Sequence, residues 1–125
     1  MKQQTLTKSE MQVMNILWDL DRGACVNDIL AQYPDPKPAY TTIATFLKIL
    51  TQKGFVEHKK GSGKLLIYSP LITKEKYRRQ VMEEVKDDFF GNSFKSMFSF
   101  FVREEHLTVE EIQELIEQIK EEEKL

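Results

Sequence analysis

The sequence predicts an α+β fold that is mainly helical, with one small antiparallel hairpin set among the helices. Three observations predict it. Apolar residues recur at three- and four-residue spacing along much of the chain, behind capping signals at Thr7 and Thr108. Two short runs, residues 55–60 and 64–69, flank Gly61-Ser62-Gly63 as strands flank a turn. The charge also divides: residues 1–80 hold 13 Lys and Arg against 7 Asp and Glu, whereas residues 81–125 hold 5 against 13. The first part therefore stands at +6 and the second at −8, which points to a polyanionic partner for the first part alone.

The first helix spans 8–20. Thr7-Lys8-Ser9-Glu10 reads as a capping box, in which the Thr7 hydroxyl accepts the Glu10 amide and the Glu10 carboxylate reaches back. Leu6 and Met11 are spaced as a hydrophobic staple. Val13, Met14, Ile16, Leu17 and Leu20 leave only a narrow polar stripe of Gln12, Asn15 and Asp19, so this helix packs on several sides. Arg22-Gly23 ends it. Ala24-Cys25-Val26 reads as a very short strand, and Asn27 as the cap of a second short helix over 28–32. Pro34, Pro36 and Pro38 keep the next stretch out of regular helix. A third helix runs over 40–53, and Gly54 suits its left-handed terminal position. The hairpin follows and ends at Pro70. Beyond it Tyr77, Val81, Val85 and Phe89 recur at intervals of four before Gly91-Asn92-Ser93 interrupts. Phe94, Met97, Phe98 and Phe101 then share one helical face. Thr108 and Glu111 repeat the capping box ahead of a stripe of Ile112, Leu115, Ile116 and Ile119.

Helix, short strand, helix, helix and hairpin make the order of a winged helix-turn-helix, here assigned to residues 1–72. In such folds the third helix can lie in the major groove of DNA with its outward side chains at the base edges. Steps of 100° place Ile43, Phe46, Leu47 and Leu50 on one arc of this helix, and Thr41, Thr45, Lys48 and Gln52 on the other, with Thr42 at its flank. The polar arc is short-chained and carries no carboxylate. A threonine hydroxyl can donate to a base or phosphate and its methyl can meet a thymine methyl. The wing adds Lys59, Lys60 and Lys64 around its Gly-Ser-Gly tip, placed to follow a phosphate backbone. These eight residues form the expected DNA-binding set.

Residues 73–125 are read as a helical dimerisation segment. A stretch this short, with four phenylalanines between positions 94 and 101, buries too little by itself. A second copy would cover Phe94, Met97, Phe98, Phe101, Ile112, Leu115, Ile116 and Ile119, and a two-fold dimer matches a palindromic operator. The same helices could instead fold back on their own winged domain, and the third helix could instead meet a protein partner. An enzyme is disfavoured. His58 and His106 stand apart from any Cys or His at metal-ligand spacing, and no phosphate-binding glycine motif occurs, so no catalytic residue, metal or cofactor is expected. The lone Cys25 reads as apolar filler. No run of apolar residues is long enough to span a membrane, and the polar start at 1–7 lacks a signal core, so a cytoplasmic location is expected.

Taken together, these residues resemble the penicillinase-repressor (BlaI/MecI/CopY) family of winged-helix transcriptional regulators. Glu10-Met11-Gln12-Val13-Met14 with Leu17-Trp18 is similar to the family's first helix. Thr42-Ile43, Thr45, Leu47, Leu50 and Lys53-Gly54 resemble its recognition helix, Tyr68-Ser69-Pro70 the end of its wing, and Ser96-Met97 with Phe101 its dimer region. The resemblance implies a homodimeric repressor of double-stranded operator DNA, with Thr42 and Thr45 contacting the major groove. It also implies a membrane-bound sensor metalloprotease whose cut relieves repression. Two departures stand out. The cysteine cluster of the copper-responsive branch is absent, and Phe100-Phe101 occupies the place where the β-lactam branch is cut at an Asn–Phe bond.

Overall fold

The computed structural model describes residues 5–124; most of the polar start of the chain lies outside them. Eight elements follow in order: α1 (Lys8–Leu20), α2 (Val26–Leu30), α3 (Tyr40–Lys53), β1 (Val56–Lys60), β2 (Leu66–Pro70), α4 (Lys74–Phe90), α5 (Phe94–Glu104) and α6 (Val109–Glu123). The chain divides into two compact units, one through Val81 and one from Met82. No helix among the described residues is long and apolar enough to cross a membrane.

The first unit is a winged helix. Thr7 caps α1 with both halves of the capping box formed: its hydroxyl accepts from the Glu10 amide at 3.2 Å and its amide donates to Glu10 Oε1 at 2.9 Å. Val13, Met14 and Leu17 from α1 meet Ile43, Leu47 and Leu50 from α3, with Ile29, Phe55 and Val56 completing a core of essentially inaccessible side chains. Each such aliphatic side chain contributes roughly 1.5–3 kcal/mol by burial. Phe46, read from periodicity as part of the buried arc, is only partly buried. Gly54 sits at φ 84°, and the left-handed turn it permits stops α3 and sends the chain into β1. The strands pair antiparallel from Val56 opposite Pro70 to Lys60 opposite Leu66.

Three local details differ from the sequence reading. The short strand at 24–26 is a single bridge, with Ala24 and Tyr68 exchanging backbone hydrogen bonds of 2.9 and 2.8 Å, because Val26 already begins α2. Cys25, not Asn27, occupies the cap of α2, and the Asp28 carboxylate accepts its amide at 3.1 Å. The second wing strand starts at Leu66, since Gly61-to-Leu65 bonding closes the tip around Lys64. The first unit also runs beyond residue 72: Ile72 and Tyr77 are buried in the same core.

The second unit carries no such core. α5 and α6 hold no buried residue. Gly91 and Asn92, both at positive φ, break the chain between α4 and α5, and Ser93 caps α5 by accepting the Ser96 amide at 3.1 Å. Thr108 and Glu111 form the second capping box at the start of α6.

Candidate nucleic-acid interface

α3 separates its two faces as an amphipathic helix must. Ile43, Leu47 and Leu50 point into the core, while Thr41, Thr42, Thr45, Lys48 and Gln52 are all exposed. No Asp or Glu occurs in the helix. The Thr45 hydroxyl donates to the Thr41 carbonyl at 2.9 Å. Its one proton is therefore engaged within the helix, and towards a duplex it presents an acceptor and a methyl rather than the donor considered from sequence. Thr51 is bonded the same way, to the Leu47 carbonyl at 2.7 Å. Tyr40, the first residue of α3, is half exposed and adds an aromatic hydroxyl beside Thr41 that periodicity did not single out.

Two lysines near the ends of α3 are engaged within the protein. Before it, the Lys37 ammonium donates to the carbonyls of Leu30, Ala31 and Tyr33 at 3.4, 3.3 and 2.6 Å, closing the C-terminal end of α2. At its last residue, Lys53 Nζ lies 2.7 Å from Glu10 Oε1. Sequence reasoning missed both. Lys37 carries no helical periodicity to mark it, and Lys53 finds a partner 43 positions away.

Lys59, Lys60 and Lys64 are exposed on the hairpin. Among the described residues, none of these three and not Lys48 makes an ion pair, so their ammonium groups are open to an external anion. The middle of the hairpin is fixed by the Ala24 bridge and by the Tyr68 ring, which lies 5.4 Å from the His58 ring. Burial pushes the Tyr68 hydroxyl pKa up, so it stays neutral. The Cys25 amide holds the Asp28 carboxyl below its ordinary range. No group of three or more His, Cys, Asp or Glu side chains among the described residues could hold a metal ion.

In the second unit, Phe94, Phe98, Phe101, Leu115, Ile116 and Ile119 are exposed, and Met97 and Ile112 are half-buried. Phe94 and Phe98 stack with centroids 6.0 Å apart, and Phe90 packs on Phe100 at 5.5 Å. Phe100 and Phe101 are themselves 45% and 44% exposed in the single chain.

Comparison with known proteins places this architecture. The methicillin resistance regulatory protein MecI of Staphylococcus aureus is 29% identical over 111 residues, covering 88% of this chain and 89% of MecI. The penicillinase repressor of Bacillus licheniformis is 28% identical over 117 residues, covering 93% of this chain and 90% of its own. The solution structure of the monomeric form of B. licheniformis BlaI, in complex with the blaP half-operator, matches with a TM-score of 0.50 at 26% identity, covering 61% of this chain and 92% of that one. The sequence profile described as "Penicillinase repressor" matches residues 6–121, and the chain belongs to the penicillinase repressor family.

Proposed function

We propose that this chain is a DNA-binding transcriptional repressor, without catalytic activity, that acts in the cytoplasm as a homodimer on a palindromic operator. The observation that carries the reading is the outer face of α3: Thr41, Thr42, Thr45, Lys48 and Gln52 are exposed together with no carboxylate among them. A generic solvated helix has no reason to exclude acidic residues; a helix entering a groove lined by phosphates has one. The unpaired wing lysines add charge for the backbone of the same duplex. The half-operator bound by the monomeric form of BlaI supports an operator of two halves, each read by one subunit. The apolar residues left exposed on α5 and α6 support a second copy as their cover. Induction is assigned to a membrane-bound sensor metalloprotease, with the cut at Phe100–Phe101.

Fluorescence anisotropy with labelled random duplex DNA tests the reading. With roughly 6–10 phosphate contacts per dimer, affinity should fall ~10³–10⁵-fold between 50 and 200 mM salt. Binding that ignores salt, or no binding at the lower concentration, would overturn it and leave α3 as a surface for a protein.

A further inference from the structure

Lys53 is the one lysine of α3 that does not face outward. Its side chain is 19% exposed and that of Glu10 is 6% exposed, and their charged atoms meet at 2.7 Å. Each sits at the favourable pole of its own helix, the carboxylate in the first turn of α1 and the ammonium in the last turn of α3. The same carboxylate oxygen accepts the Thr7 amide. One atom thus closes the start of α1 and fastens the end of α3.

Stability alone is a poor account of such a pair. Desolvating two charges offsets most of their attraction, and an apolar pair of the same volume is commonly as stable. The pair does something an apolar contact does not: it fixes a distance and a direction. Thr41 lies twelve residues from Lys53, about 18 Å along the helix axis. A tilt of about 5° pivoting at Lys53 moves Thr41 by about 1.6 Å, enough to take a base contact out of hydrogen-bonding range. Phosphate contacts from flexible lysines on the wing tolerate such a shift.

Resting on the DNA-binding reading above, we infer that the Glu10–Lys53 ion pair is a positioning contact that sets the angle of α3, and therefore governs discrimination between operator and random DNA more than affinity for DNA as such. The Lys53 ammonium reads no base and touches no phosphate; it acts through α3.

The test is a double-mutant cycle on preference. The wild-type protein is used to enrich a duplex from a random-sequence pool, and affinities for that duplex and for random duplex are measured well below the melting temperature. Lys53→Met keeps the aliphatic stem, and Glu10→Gln keeps an oxygen for the Thr7 amide. Each should lower the preference about tenfold, and the double variant should lose no more than a single one. Lys53→Arg, which keeps the cation, should restore most of it, and the salt slope on random duplex should stay at its wild-type value. If Glu10→Gln does not fold, Lys53→Met decides alone, since it leaves the capping box intact. Unchanged preference alongside a lower melting temperature would reduce the pair to a brace and overturn the inference. A uniform loss on both duplexes with a shallower salt slope would overturn it too, making Lys53 a phosphate contact. Failure of the wild type to bind either duplex would remove the DNA-binding reading, and this inference with it.

Discussion

The Tyr77 hydroxyl accepts the Leu6 backbone amide at 2.9 Å, joining positions 71 residues apart. Phe55 meets the same ring edge-on at 5.4 Å, and Trp18 lies 6.1 Å away while donating its indole N–H to the Ile72 carbonyl at 2.9 Å. The start of α4 is thus bound into the core of the winged helix, and the two ends of the first unit close on each other.

Truncation should show this. A chain ending at residue 81 is expected to unfold cooperatively, and one ending at residue 72 to melt well below it. Tyr77→Ala should cost about 3–5 kcal/mol by opening a cavity. Tyr77→Phe, which strands the Leu6 amide, should cost about 1–3 kcal/mol. Thermal melts followed by circular dichroism check all three, and equal melting temperatures for the two truncated chains would contradict the placement of Tyr77.

Glu10 gives a pH dependence of definite sign. Burial raises the pKa of its carboxyl, but the Lys53 ammonium and the Thr7 amide and hydroxyl outweigh burial, leaving it below the ordinary 4.5. A carboxyl with a lowered folded-state pKa contributes stability that is complete above its unfolded value and is lost as pH falls through the folded one. The stability gap between wild type and Glu10→Gln should therefore be constant near neutrality and close below pH 4.5. Urea titrations across that range measure it; a gap that persists at the lowest pH would assign the cost to packing instead.

These two cases mark where the sequence was legible. Signals between near neighbours came through: both capping boxes, the Gly54 stop, and the faces of α3 are set by residues three to seven positions apart. Contacts across long stretches did not. Nothing in the spacing pairs Glu10 with Lys53, or Leu6 with Tyr77, because these partnerships exist only once α1, α3 and α4 pack. Cys25 was missed as a cap for a different reason. Its side chain offers little as a cap, and the position is held by Asp28 reaching back to its amide.

At the candidate interface, the wing lysines and Thr45 should fail differently. Replacing Lys59, Lys60 and Lys64 with Ala is expected to weaken binding on every duplex and to flatten the salt dependence by nearly one unit of slope for each phosphate left without its lysine. Thr45 should act on one base position, worth about 1–3 kcal/mol of discrimination. Because its hydroxyl proton is engaged with the Thr41 carbonyl, Thr45→Val keeps the methyl and removes the acceptor, whereas Thr45→Ser does the reverse. A thymine-methyl contact predicts that Val retains specificity and Ser loses it; if both retain it, Thr45 faces no base.

The second unit should associate. Sedimentation equilibrium at micromolar concentration is expected to give twice the 14.7 kDa of the chain. Phe98→Asp, placing a charge on the exposed face shared by Phe94 and Phe101, should return it to monomer. A wild-type protein that stays at the mass of one chain would leave these side chains without the proposed partner.

The proposed proteolytic induction would act through the same arrangement. A cut between Phe100 and Phe101 falls inside α5 and separates α6 from the rest of the chain. The candidate DNA-contacting residues all lie in the first unit and survive it. What disappears is linkage. Two winged domains held together meet the second half-site at high effective concentration, and separating them should lower affinity by roughly 10²–10⁴. The bond lies within an α-helix, and a dimer that covers Phe101 would shield it further. Cleavage therefore requires α5 to open locally or the protease to capture free monomer. The monomerising Phe98→Asp variant should accordingly be cut faster than wild type by the same protease. Expressing the gene with its genomic neighbours, adding candidate inducers and following the mass of the chain tests the scheme. Derepression with the chain intact would rule proteolysis out and place the inducing event on the dimer arm by some other means.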